Sequence, residues 1–240
     1  MFWLVGNTLN DTNKKLSPNN NLIFTLMNTT LKNTYDSIIF DLDGTLWDST
    51  QTVADAWQKA KEEVDFVKDD FTKETIQSIC GMTYKAIFEK LVPYLDEAKR
   101  NEFKAICANH ELNLLDKKGG ELYPELEATL QYLAKDYKLY IVSNCQSGYI
   151  ETFFKTSGLQ KYFLGHQCYG TKSLPKADNI RDIVNDHNLT APVYVGDTMG
   201  DYSAAKQAGV PFIFAAYGFG VVEEDQVATI SEFIQLQDLL

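Results

Sequence analysis

Two aspartates, Asp41 and Asp43, are the residues of this sequence best suited to chemistry. They directly follow an apolar run, residues 38–40, in the stretch SIIFDLDGTLWDS. A continuous apolar run is typical of a parallel strand buried on both faces, and ligands bind beyond the carboxyl ends of such strands. Removing a charge from water at such a place is costly unless a cation or another partner compensates it. We therefore interpret the pair as a nucleophile and a general acid/base that share a divalent metal.

Polar residues also follow two later apolar runs. Ser143 and Asn144 follow one run, and Asp197 follows another, with Asp201 four residues further on. Because the carboxyl ends of parallel strands meet at one edge, these side chains should lie near the first pair of aspartates. Clustered carboxylates repel one another without a cation, and hard oxygen ligands suit Mg²⁺, which also accepts phosphate oxygens. The pattern predicts a Mg²⁺ site.

A lysine would bring one positive charge to the same edge. Lys176 directly precedes a helical pattern over residues 177–185, and Lys172, four residues earlier, is the alternative. Such a cation would hold Asp41 ionised and help to neutralise a transferring phosphoryl group.

The elements that position these residues follow a regular order. After residue 118, strand and helix patterns alternate, which predicts right-handed βαβ units and a parallel sheet. Residues 50–117 show only helical periodicity, directly after the first strand. The predicted fold class is therefore α/β, a Rossmann-like parallel sheet flanked by helices, with the core formed by residues 35–49 and 118–240 and an all-helical insert between them.

Residues 1–34 differ in composition from the rest of the chain. They are rich in asparagine and threonine and lack sustained periodicity, so we expect a poorly ordered extension. Met27 lies close before the first strand and is a candidate start of translation. An intact mass of the natural protein that includes residues 1–26 would contradict that start.

Composition limits the partners and the compartment. The net charge of -11 argues against nucleic acid and against an anionic membrane surface. No apolar run approaches the length of a membrane span, and the first residues make a poor signal peptide. We expect a cytoplasmic protein. Its cysteines are scattered and never form C-x-x-C, which predicts four buried free thiols in a reducing compartment: Cys80, Cys107, Cys145 and Cys168.

The motifs IIFDLDGTLWDS, IVSN, a following lysine and YVGDTMGD together resemble the haloacid dehalogenase superfamily. The resemblance covers roughly residues 35–240 and is strongest to the phosphoglycolate phosphatase and β-phosphoglucomutase branch. It implies that residues 50–117 form a helical (C1) cap domain. It also implies a Mg²⁺-dependent hydrolase of phosphoric monoesters, acting on a small phosphorylated metabolite.

By this resemblance, Asp41 is the nucleophile that forms an aspartyl-phosphate. Asp43 is the general acid for the leaving alcohol and then the base for water. The metal ligands would be Asp41, the backbone carbonyl of Asp43, and Asp197, with Asp201 helping directly or through water. Members that cleave C–halogen or C–P bonds typically lack an aspartate at the place of Asp43, so a phosphate ester is favoured here.

The remaining candidate residues concern the substrate. Those assigned to phosphate or nucleophile contacts are Thr45, Ser143, Asn144 and Lys176. Those assigned to specificity, in a loop of the cap, are Gly81, Met82 and Lys85.

Two alternatives stay open, a phosphosugar mutase and a metabolite-binding protein without turnover. A mutase must hold a second phosphate, for which arginine is best suited. Arg100 and Arg181 are the only arginines, and neither lies near the candidate cap loop in sequence. The intact aspartate and lysine set argues against a protein without turnover. Either a monomer or a homodimer is compatible with the sequence.

Overall fold

Strands and helices alternate along most of residues 30–240, which the computed structural model describes. The strands are β1 (Ser37–Phe40), β2 (Trp47–Asp48), β3 (Glu121–Leu122), β4 (Lys138–Ser143), β5 (Phe163–Cys168), β6 (Pro192–Gly196), β7 (Phe212–Ala215) and β8 (Ala228–Ile230). The helices are α1 (Thr50–Glu62), α2 (Lys73–Gln77), α3 (Tyr84–Leu91), α4 (Glu97–Lys118), α5 (Leu126–Leu133), α6 (Tyr149–Ser157), α7 (Tyr169–Lys172), α8 (Lys176–Asp186), α9 (Met199–Ala208) and α10 (Leu236–Leu239).

Six of the strands form one parallel sheet in the order β5-β4-β1-β6-β7-β8. β1 lies inside it, and its three apolar residues are fully buried, as expected for a strand covered on both faces. In the register, Phe40 is aligned with Ile141 of β4 and Val195 of β6. The residues that follow these three strands therefore leave the sheet at one level. The predicted α/β fold class is confirmed.

Apolar side chains on the two faces of the sheet belong to separate parts of the core. Ile38 and Phe40 point into one cluster, and Phe40 packs against Phe163 and Phe233 with ring centroids 6.3 and 5.8 Å apart. Ile39 points to the other face, where α8 and α9 cover it. Burying each such side chain stabilises the fold by roughly 2 kcal/mol. The sheet is thereby a rigid support for its carboxyl edge.

Four helices, α1 to α4, are inserted between β2 and β3, and they correspond to the helical pattern predicted over residues 50–117. The two ends of the insert are held together because β2 pairs antiparallel with β3, Trp47 opposite Leu122. Gly120 passes so close to β2 that a Cβ would lie 2.9 Å from the carbonyl oxygen of Asp48. The crossing of the two connections therefore requires glycine at this position.

The cysteines are free thiols, but the prediction that all four are buried was wrong for two of them. Cys107 and Cys168 are buried, whereas Cys80 and Cys145 are only partly buried. The reason is that both of the latter lie in loops that line a cavity beside the sheet edge.

Two further expectations concern the start of the chain and membranes. The predicted extension, up to residue 29, and the candidate start at Met27 lie outside the described residues. Among residues 30–240, no helix combines the length and the apolar character needed to cross a membrane.

Asp36, just before β1, connects the start of this strand to the loop before β6. Its carboxylate accepts hydrogen bonds from the Ser37 hydroxyl at 2.7 Å and from the Thr190 amide and hydroxyl at 2.9 and 2.7 Å. Burial alone would raise the pKa of Asp36, but these hydrogen bonds outweigh it and lower the pKa to about 2. Its contribution to stability is therefore present above the unfolded pKa of about 4 and is lost as the pH falls towards 2.

We expect Asp36→Asn to lower the free energy of unfolding by about 1 kcal/mol at pH 7. The difference from the wild type should shrink as the pH falls below about 4, which urea titrations at pH 7, 4 and 3 would measure. Asp65→Asn, at an exposed position after α1, is the control and should change nothing. If the difference in unfolding free energy between Asp36→Asn and the wild type did not depend on pH, the stabilisation would not come from the ionised carboxylate of Asp36.

Candidate active site

Lys176, the first residue of α8, connects two buried aspartates. Its Nζ lies 2.9 Å from Oδ1 of Asp41 and 2.5 Å from Oδ1 of Asp201. The backbone N–H of Asp41 continues the sheet by donating to the carbonyl of Val195 at 2.9 Å. Lys172, the alternative, lies at the surface and pairs with Asp182 at 2.6 Å. The structure therefore brings Lys176 to the sheet edge and leaves Lys172 outside.

Three buried carboxylates meet beside this lysine. Oxygens of Asp41, Asp197 and Asp201 all lie within 4.8 Å of one another. Burial, reinforced by the neighbouring Asp201 charge, raises the pKa of Asp41 to about 7 and that of Asp197 to about 8. Burial alone would lower the pKa of Lys176, but Asp201 and Asp41 raise it, so the lysine stays charged. One lysine cannot balance three carboxylates, and the donor set suits a divalent cation with oxygen ligands.

Asp201 is held by the start of its own helix. Thr198, the N-cap residue of α9, and Asp201 form a capping box. Oδ2 of Asp201 accepts from the Thr198 amide at 3.0 Å and the Thr198 hydroxyl at 2.6 Å. Because Oδ1 faces Lys176, both oxygens of Asp201 have partners within the protein.

Asp197 is held by two backbone loops. Its Oδ2 accepts from the Phe219 amide at 2.8 Å, and its Oδ1 from the Thr45 hydroxyl at 3.4 Å. Thr45 is fully buried, so the structure places it against Asp197 and not on the cavity wall. Gly44 has a φ of +84°, and a Cβ there would lie 2.2 Å from Oδ2 of Asp197. Sequence reasoning missed the loop around Phe219, although its glycines mark a close backbone approach.

Asp43 has one carboxylate oxygen surrounded by donors. Oδ1 accepts from Trp47 Nε1 at 2.9 Å, from the Ser49 hydroxyl at 2.6 Å and from the Tyr149 hydroxyl at 2.9 Å. Ser49 is the N-cap residue of α1, yet its hydroxyl bonds Asp43 instead of the helix. Burial raises the pKa of Asp43, while the three donors oppose that shift. The carboxyl group is thereby held in one orientation.

Sequence reasoning missed these three partners of Asp43. Tyr149 lies more than a hundred positions away and resembles an ordinary core aromatic at the start of α6. Trp47 and Ser49 are close in sequence, but only the turn into α1 aims them at Asp43. The residue types in this turn do not predict that these two side chains donate to Asp43.

A cavity of about 70 Å³ opens at Asp41 and Asp43, between the sheet edge and the helical insert. Ser143 lines it from β4, and Gly81 and Met82 line it from the loop between α2 and α3. Asn144 lines it too, so six of the predicted site residues surround one space.

Lys85 does not belong to this group, and its assignment to the cap loop facing the site was wrong. Its side chain is 69% exposed and lies 3.8 Å from Glu89, one turn along α3. The helix that begins at Tyr84 turns Lys85 outward.

Asn144 links the sheet edge to the insert. Its Nδ2 donates to the carbonyl of Gly81 at 2.7 Å, so this amide nitrogen is engaged within the protein. Its Oδ1 is buried and has no hydrogen-bond partner. The side-chain atom of Asn144 without a partner is therefore an acceptor. An ionised phosphate needs a donor, which this side chain does not offer in this arrangement.

The family model described as "Haloacid dehalogenase-like hydrolase" matches residues 38–215. With the parallel sheet and the aspartate cluster at its edge, this match shows that the chain belongs to that family. The predicted superfamily and the prediction that the chain is an enzyme, a hydrolase, are confirmed.

Proteins that are similar to this chain in sequence include two that are named as phosphatases. The chain is 27% identical to a phosphoglycolate phosphatase of Aquifex aeolicus over 213 residues, covering 84% of this chain and 96% of that protein. It is also 27% identical to the pyrophosphatase PpaX of Listeria innocua over 177 residues, covering 72% of this chain and 79% of that protein.

Solved structures share the fold. A haloacid dehalogenase-like family protein from Streptococcus pneumoniae superposes with a TM-score of 0.74 at 22% identity, covering 85% of this chain and 97% of that one. A structure described as a predicted phosphoglycolate phosphatase from Haemophilus somnus superposes with a TM-score of 0.75 at 21% sequence identity. The superposition covers 85% of this chain and 97% of that one.

Proposed function

We propose that the protein is a Mg²⁺-dependent phosphatase that hydrolyses a small phosphate monoester through an aspartyl-phosphate intermediate. The observation that carries the proposal is the buried contact of Lys176 with Asp41 at 2.9 Å, at the wall of a cavity that Asp43 also lines. The phosphatase names of the relatives support it.

In the first step, a carboxylate oxygen of Asp41 bonds to phosphorus while the bond from phosphorus to the ester oxygen breaks. Asp43 gives its proton to the departing alkoxide. Lys176 balances negative charge on Asp41 and on the transferring phosphoryl group, and Ser143, on the cavity wall, would contact the phosphate. The product of this step is an acyl phosphate on Asp41 and a free alcohol.

In the second step, Asp43 takes a proton from water, whose oxygen attacks phosphorus. The bond between phosphorus and the Asp41 oxygen breaks, and inorganic phosphate leaves. Dividing the displacement in this way replaces one difficult step by two easier ones. The three hydrogen bonds to Oδ1 hold Asp43 in place for both proton transfers.

The acidic cluster fits a divalent cation. Asp41, the backbone carbonyl of Asp43, and Asp197 would hold it, and Asp201, whose oxygens already have partners, would act through water. When bound there, Mg²⁺ would supply positive charge to the phosphate oxygens. Lys176 carries one positive charge against three carboxylates of the cluster, which supports a divalent cation at this place.

We further propose that residues 50–117 act as the cap over a core formed by residues 35–49 and 118–240. The cavity lies between the two, and closure over it would exclude bulk water. The free cysteines support a reducing compartment, the cytoplasm.

The test is phosphate release from a panel of small phosphate monoesters, with Mg²⁺ and with a chelator. We expect release that depends on Mg²⁺ for at least one ester. No release from any ester would favour a metabolite-binding protein without turnover. Isomerisation of a hexose 1-phosphate without net phosphate release would favour the mutase.

A further inference from the structure

Glu111 is a buried carboxylate in the cavity that the mechanism does not use. It lies on α4, within the helical insert, and is only 3% exposed. It lines the same cavity as Asp41 and Asp43. A buried carboxylate facing a reaction site affects whatever charge enters that site.

Three neutral donors fix this side chain. Oε2 of Glu111 accepts from Trp57 Nε1 at 2.7 Å and from the Tyr84 hydroxyl at 3.3 Å. Among residues 30–240, Gln146 Nε2, at 2.8 Å, is the one donor to Oε1. A carboxylate oxygen can accept two hydrogen bonds, so Oε1 has capacity for a donor from a ligand.

The described residues around Glu111 provide no compensating positive charge. The titratable groups that interact with it are Tyr84 from α3, Cys107 from α4, Tyr149 from α6 and Asp43. Within the described part of the chain, no lysine, arginine or histidine lines the cavity. Burial, opposed by the hydrogen bonds from Gln146 and Trp57, raises the pKa of Glu111 to about 7.

A second acceptor lines the same space. Oδ1 of Asn144 is buried without a partner, while its Nδ2 is committed to Gly81. The leaving group of a ligand in the cavity therefore meets two acceptors, while Lys176 and the Mg²⁺ proposed above would be engaged by the aspartates and the transferring phosphoryl group. Carboxylate or phosphate on the leaving group would be unpaired there, which is costly for a buried charge.

We propose that Glu111 is a specificity-determining residue, which selects phosphate monoesters whose alcohol part carries a hydroxyl or ammonium donor and rejects those with a second anionic group. The proposal rests on the phosphatase function proposed above. It separates this chain from a phosphoglycolate phosphatase, whose substrate carries a carboxylate on the leaving group.

Three esters with the same two-carbon skeleton test the proposal: 2-hydroxyethyl phosphate, 2-aminoethyl phosphate and 2-phosphoglycolate. Assays at pH 8, above the pKa of Glu111, keep its carboxylate ionised. We expect kcat/KM of the wild type to be at least about tenfold higher for the first two esters than for 2-phosphoglycolate. Glu111→Gln, which preserves the size of the side chain, should reduce that ratio by about tenfold, chiefly through a lower KM for 2-phosphoglycolate.

The control is Glu89→Gln on α3, an exposed acidic residue outside the cavity, which should leave the ratio unchanged. Met82→Lys adds a cation to the same cavity wall and should also shift the ratio towards 2-phosphoglycolate, so the test does not depend on the folding of one variant. A wild type that prefers 2-phosphoglycolate, or a ratio unchanged in both variants, would overturn the proposal. Absence of turnover of every phosphate monoester would instead refute the phosphatase function.

Discussion

Asp41→Asn should abolish phosphate release, with kcat lowered by at least about a thousandfold. The amide has no negative charge and cannot form the acyl phosphate. The fold should survive, because Lys176 retains Asp201 at 2.5 Å and the substitution removes one of three mutually repelling carboxylates. Initial rates on the best ester of the panel, together with a thermal melt of both proteins, would measure the two effects.

The matched controls separate the nucleophile from the acid/base. Asp182→Asn removes the surface partner of Lys172 and should keep full activity. Asp43→Asn keeps the nucleophile, so ³²P from a labelled ester with a good leaving group should stay on the protein after an acid quench. Asp41→Asn should show no such label. Full activity of Asp41→Asn would rule out the covalent mechanism.

Lys176→Met should cost about 3 kcal/mol of stability in the absence of metal, in addition to abolishing turnover. It leaves the buried Asp41, Asp197 and Asp201 carboxylates without a cation, and breaking a buried ion pair from one side typically has this cost. Because a cation would then be the only compensation, millimolar Mg²⁺ should raise the melting temperature of the variant more than that of the wild type. Chemical denaturation with and without Mg²⁺ would measure both.

Lys172→Met is the control for this experiment. Lys172 forms an exposed pair with Asp182, and such pairs contribute about 0.5 kcal/mol or less. We expect normal turnover and nearly unchanged stability. Equal effects of the two substitutions would contradict the assignment of Lys176 to the site.

Local sequence pattern predicted the elements that support the site. The apolar run before Asp41 and the runs before Ser143 and Asp197 are strands that adjoin one another in the sheet. They could be recognised because a strand buried on both faces must be apolar throughout, so a polar residue at its end stands out. Alternation with helices then required these ends to share one edge.

Packing between distant segments decided the rest. Lys176 and not Lys172 reaches Asp41 because α8 begins at Lys176. Lys85 points outward because of its place on α3. The donors on Asp43 include Tyr149, from a helix 106 residues away.

Glu111 shows most clearly what the sequence left undecided. In a helix with charged residues on several sides, one glutamate looks like any other. Only the docking of α4 against α1, α3 and the loop after β4 buries this one beside the cavity. The amino-acid pattern was enough to predict which strand ends carry the clustered aspartates, because strand pattern is local. Which side chains line the cavity depends on the faces that helices turn towards one another, and only the folded chain shows this.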